Sequence, residues 1–215
     1  MRKDQLVDRW CAALPSGVDL ATAAEAGAEL IERWSEPARR YHTVEHLVFV
    51  LDVVDAADSV TGADLTDVRL ATWFHDAVYD PTALAAGANE QASADLAAAM
   101  LPPLAVDRAQ IAEVVRLVLL TADHRVDRDD PNGALLADAD LAILGVESDG
   151  YRRYAEQVRA EYSHVPDDAF RAGRSAVLTK LLDLDPIYHL APHREAWESR
   201  ARANMRAELA RLSSI

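Results

Sequence analysis

Residues 41–57 read YHTVEHLVFVLDVVDAA. Val44, Leu47, Val48, Leu51 and Val54 recur at intervals of three and four, the period of a helix with one apolar face. His42 and His46 stand four apart with Glu45 between them, a spacing that on a helix puts both rings on one side. Such a pair has three meanings: two ligands of one metal, one ligand and one acid, or two ordinary histidines satisfied by their neighbours.

The same helical period continues on both sides. QLVDRWCAAL (5–14) predicts a helix ending before Pro15, and DLATAAEAGAELIERW (19–34) predicts a second, capped by Asp19 and stopped near Pro37. DLTDVRLATWFHDAVY (64–79) runs to Pro81, NEQASADLAAAML (89–101) to the Pro102-Pro103 break, and DRAQIAEVVRLVLLTADH (107–124) to its histidine. DRDDPNG (127–133) reads as a polar turn. ALLADADLAILG (134–145) reads as a short buried helix closed by Gly145. DGYRRYAEQVRAEYSHV, DDAFRAGRSAVLTKLLDL and HREAWESRARANMRAELARL complete the set. The expectation is a single all-α domain, an helical bundle of about ten helices over residues 1–215.

Bulk properties narrow the function. Half of the 215 residues are hydrophobic and the formal charge is −14. Nucleic acid polymers demand a basic face, so none is expected as a partner, whereas a small phosphorylated molecule needs only a local cation. No window is apolar for long enough to span a membrane, and the N-terminus lacks the apolar core of a signal peptide. The single cysteine, Cys11, rules out an intrachain disulfide and suits a reducing cytoplasm.

Two further stretches place polar groups in apolar settings. In ATWFHDAVYD (71–80), His75 and Asp76 are expected inside a helix with Trp73, Phe74 and Val78 around them, the plainer explanation being a helix-terminal pair near a surface turn. A buried carboxylate there is costly unless it meets a cation or donors. In LLADADLAILG (135–145), Asp138 and Asp140 interrupt an apolar helix. Asp138 is near enough to the expected start at Ala134 to be a first-turn charge favoured by the helix dipole. Asp140 is deeper, and it ranks as the ligand with Asp138 as its alternative. His46, His75, Asp76 and one of these acids suit a divalent ion such as Mn, Fe, Co, Ni, Zn or Mg. An ion so held polarises a phosphoryl oxygen and makes water a nucleophile near neutral pH.

The order H…HD…D on successive helices resembles the HD-domain superfamily of metal-dependent phosphohydrolases. The likeness is closest to a bacterial branch of it, through RRYHTVEHL, WFHDAVYD, NEQAS, LADADLAILG, YRRYAEQVRAEY, FRAGRSAVL and ARANM, spread over about residues 35–212. The resemblance implies an all-α fold and a metal site of His46, His75, Asp76 and Asp140. YHTVEHL is also similar to a segment of the cyclic-nucleotide phosphodiesterases. That similarity implies a ligand role for His46 and a general-acid role for His42. Asp76 is expected to take part in the chemistry as well as in holding the ion. The expected activity is hydrolysis of a phosphomonoester or phosphodiester in a small metabolite or nucleotide. Alternatives are a non-catalytic metal or nucleotide sensor and, behind it, a zinc metalloprotease using H-x-x-E-H with Glu45 as base. His124 is either a second-metal ligand or a cation closing its helix. Arg40, Glu90 and Arg174 are candidate substrate contacts, with surface pairing or helix-dipole complementarity as the plainer explanation.

Overall fold

A computed structural model describes residues 2–57, 62–83 and 85–214. Among them the chain is all-helical, with ten α-helices and no strand. No helix of the described residues is long and apolar enough to cross a membrane. Contacts gather into two compact units, Met1–Ala137 and Asp138–Ile215.

The first unit holds α1 (Lys3–Ala12), α2 (Leu20–Trp34), α3 (Val44–Ala56), α4 (Leu65–Phe74), α5 (Ala88–Met100), α6 (Arg108–Leu120) and the first seven residues of α7 (Pro131–Asp140). Its helices start where short acceptors satisfy the first free N–H groups. Asp19 accepts from Thr22, Asp64 from Thr66 and Asp67, and Asp107 from Gln110. The core is built on Trp10, Trp34, Trp73, Phe74, Leu30 and Leu47, all fully buried. Trp10 donates its indole N–H to the Ala23 carbonyl at 2.9 Å, and Trp34 donates to the Trp73 carbonyl at 3.0 Å. The second bond ties the end of α2 to the end of α4, beside the motif residues.

The second unit holds the end of α7, a 3-10 turn (Leu141–Gly145), α8 (Ser148–Glu161), α9 (Asp167–Leu182) and α10 (Ala191–Leu212). Its interior carries a polar knot. Arg174 meets Glu208 at 2.8 Å and donates to the Tyr154 hydroxyl, while Tyr151 donates to Glu208. Burial, and then the Glu208 charge, push the Tyr151 hydroxyl far above its ordinary pKa.

Three of the helix boundaries that differ from the sequence expectation bear on the motif residues. α3 begins at Val44, because Thr43 is extended and its hydroxyl accepts the Glu45 N–H as an N-cap. His42 therefore precedes the helix and does not share a helical face with His46. α4 ends at Phe74, so His75 caps it and Asp76 lies beyond it. Continued to Tyr79, this helix would leave the Ala77 carbonyl facing Pro81, which has no N–H to give. α7 begins at Pro131 rather than Ala134, with Asp130 accepting the Gly133 N–H at 2.8 Å. Proline at the first helical position loses no bond there, so the polar turn stops at Asp130.

Gly27 of α2 lies flat on Trp10. A Cβ built at Gly27 would stand 2.5 Å from Trp10 Cδ1, and the ring is fully buried with nowhere to move. Gly27→Ala is expected to lower stability by about 1–3 kcal/mol through overpacking. Urea denaturation measures this, and an unchanged midpoint would contradict the contact.

Candidate metal centre

The cluster forms at helix ends. His46 is the third residue of α3, His75 the C-cap of α4, Asp76 the next residue, and Asp140 the last of α7. α7 is rooted in the first unit. Arg116 of α6 forks onto Asp130 at 2.7 and 3.0 Å and onto Glu113, Asn132 donates to Glu113, and Asn132 accepts the Asp64 N–H. Hydrogen bonds to Arg116 hold the Glu113 carboxyl below the usual carboxylate range, against its partial burial.

His75 is fully buried. Its Nδ1 lies 2.8 Å from the Thr72 carbonyl, which can only accept, so the ring proton sits on Nδ1. In the neutral ring Nε2 then offers a lone pair. That lone pair faces His46 Nε2 at 3.2 Å and Asp76 Oδ2 at 3.4 Å, and His46 Nε2 lies 3.8 Å from the same oxygen. Two donors bound to one ion at about 2.0–2.2 Å stand about 3.0–3.5 Å apart for angles between 90° and tetrahedral. The two shorter separations fall in that window and the third is a few tenths of an ångström wider. Asp140 completes a group in which one ligand atom from each residue lies within 4.8 Å of the others. His46, His75, Asp76 and Asp140 can hold a metal ion.

His42 stands beside this group. Its Nε2 is 4.0 Å from Asp76 Oδ2, its ring stacks on Tyr79 at 4.2 Å, and Tyr41 meets it edge-on. The His42 and His46 rings remain 5.7 Å apart, brought together by the turn before α3 instead of a helical face. Glu45 is exposed at the start of α3, and the group that gathers contains His46 without His42. A zinc site of the H-x-x-E-H kind needs both histidines as ligands, and this geometry does not supply it.

Asp138, the alternative to Asp140, lies outside the gathered group. It is fully buried at the eighth position of α7, far past the first turn. Its oxygens accept the N–H groups of His189 and Leu190 at 2.7 and 2.9 Å and face His193 Nδ1 at 3.0 Å. It thus satisfies backbone donors at the start of α10, where a negative charge is favoured. Burial, and then the Asp138 charge, push the nearby Tyr188 hydroxyl well above its ordinary pKa. His124 lies outside the gathered group. It closes α6 with a left-handed backbone, φ 55°, its N–H donated to the Leu120 carbonyl.

The three expected substrate contacts fare differently. Arg40 is exposed and donates to the carbonyls of Pro37 and Arg39. Glu90 is the third residue of α5 and half-buried, a position suited to the helix dipole. Arg174 is held by Glu208 and Tyr154, so its guanidinium serves the interior of the second unit.

The residue that the sequence did not single out is Arg39. It is 4% exposed and donates to the carbonyls of His42, Asp76 and Ala77 at 3.1, 2.7 and 3.1 Å. The available signal was indirect: a helix broken between Phe74 and Pro81 leaves carbonyls that need donors.

No family model, curated protein or solved structure matches the chain.

The two acids of α7 separate experimentally. Asp138→Ala removes the acceptor of two backbone N–H groups and is expected to cost about 2–4 kcal/mol in a urea melt. Asp140→Ala is expected to lower divalent-ion affinity in a calorimetric titration, with a smaller effect on the melt. The opposite assignment of effects would contradict the division of labour.

Proposed function

We propose that the chain is a metal-dependent phosphohydrolase of the HD type, acting on a small phosphorylated metabolite or nucleotide in the cytoplasm. The observation that carries this is the convergence of His46, His75, Asp76 and Asp140 with His42 at its edge. Two imidazoles and two carboxylates suit Mn, Fe, Co, Ni or Zn, and Mg less, since Mg prefers oxygen ligands. A bound divalent ion would polarise a phosphoryl oxygen and acidify a water.

The chain's own residues supply the rest. The Thr72 carbonyl fixes the His75 tautomer, so its Nε2 lone pair points into the group. In ester hydrolysis, a water oxygen forms a bond to phosphorus as the bond to the leaving oxygen breaks. The leaving oxygen takes a proton, and His42 Nε2 is placed to give it. Tyr79 holds the His42 ring by stacking, and Asp76, as ligand and neighbour of His42, joins acid and ion in one site. The net charge of −14 fits a small substrate better than a nucleic acid polymer.

Elemental analysis of purified protein and a phosphatase screen test the proposal together. Wild type is expected to carry a divalent ion and to release phosphate, or a nucleoside product, from at least one small phosphoester. Asp76→Ala and His75→Ala are expected to lose the ion and at least 100-fold in turnover, about 2.7 kcal/mol in barrier. Undiminished metal in both variants would overturn the site. Metal binding with no product across a broad panel would overturn catalysis and leave a sensor.

A further inference from the structure

Arg39 lies outside the ligand set, yet its side chain is 1% exposed beside it. A buried guanidinium is costly unless its donors are engaged. Nε meets Glu36 Oε2 at 3.2 Å, Nη1 is shared between the carbonyls of His42 and Asp76, and Nη2 donates to the Ala77 carbonyl. Its central carbon lies 5.5 Å from the Trp34 ring centroid and 5.6 Å from that of Tyr79. Tyr79 is the ring on which His42 stacks, and Trp34 lies 5.2 Å from the His75 ring.

The three carbonyls belong to two turns distant in sequence. One carries the candidate acid His42 and leads into α3. The other carries Asp76 and follows α4. Neither has helical hydrogen bonds to fix its shape across those carbonyls, and one planar group supplies donors to both. Lysine offers a single ammonium on a flexible stem and cannot reproduce that fork.

We infer that Arg39 is the positioning residue of the centre: its guanidinium ties the His42 turn to the Asp76 turn and so sets the acid against the ion. This rests on the cluster being a metal centre. Arg39 donates to no side chain of the four ligands, and it acts through the backbone that presents them. Loss of the fork leaves His46 on α3 and His75 on α4 in place, while Asp76 and His42 lose their common anchor.

The test uses the full chain as wild type, Arg39→Met and Arg39→Lys, all held well below their melting temperatures, with Co²⁺ as the probe. Calorimetry is expected to show Co²⁺ affinity falling about 10–100-fold in Arg39→Met, the scale of losing an outer support of a ligand. The paramagnetic shifts of the His42 ring protons, assigned with His42→Gln, are expected to shrink. Without any ion, amide exchange at Thr43, Ala77 and Val78 is expected to quicken together by roughly tenfold or more. Arg39→Lys should move all three readouts the same way by less, and it carries the test if Arg39→Met fails to fold. A lower melting temperature with affinity, His42 shifts and exchange all as in wild type would overturn the positioning role. A wild-type chain that takes up no Co²⁺ would overturn the metal reading and the setting of His42 against an ion. The exchange rates would then still decide whether Arg39 couples the turns.

Discussion

Two imidazole nitrogens 3.2 Å apart, one of them on a ring oriented by the Thr72 carbonyl, face one carboxylate oxygen at 3.4 and 3.8 Å beside Trp34. Such a set brings electron-rich atoms together where little water reaches. Burying a carboxylate or an imidazole each costs free energy. A shared cation, proton or metal, relieves both costs at once. Much of the surrounding architecture is arranged to hold these few atoms close: helices that stop early, a cap that starts α3 late, and a guanidinium inside the protein.

The fold positions the group through its helix ends. α3 presents His46 in its first turn, His75 caps the end of α4, and α7 runs long enough to end on Asp140. Each end is fixed by a different device. Thr43 caps α3, the Trp34 indole holds the last turn of α4, and the Arg116–Asp130–Glu113 cluster with Asn132 pins the start of α7. Asp138 secures the far end of α7 through the backbone of residues 189 and 190. Two acids two residues apart on one helix therefore do separate work, one structural and one within the candidate centre.

The sequence made the all-helical class legible because apolar residues recur with the helical period and because Asp19, Asp64 and Asp107 mark helix starts. It ranked Asp140 above Asp138 on an expected helix start at Ala134, whereas α7 begins at Pro131 and Asp138 is the more deeply buried of the two. What it obscured depended on contacts between distant segments. Arg39 and Arg40 are adjacent and locally equivalent, and only the carbonyls left open beyond α4 determine that Arg39 turns inward. The His42–His46 spacing mimics a helical face, while Thr43 between them is a better cap than a helix interior residue. Proline at 131 resembled a turn signal, yet with Asp130 before it the same residue opens a helix.

The central claim is that His46, His75, Asp76 and Asp140 bind one divalent ion. A crystal grown with Mn²⁺ and measured on both sides of the manganese absorption edge tests it most directly. An anomalous peak is expected within about 2.0–2.3 Å of His46 Nε2, His75 Nε2 and carboxylate oxygens of Asp76 and Asp140, with Asp138 still bonded to the backbone of residues 189 and 190. A peak on Asp138 in place of Asp140, or no peak at the group at saturating ion, would contradict it.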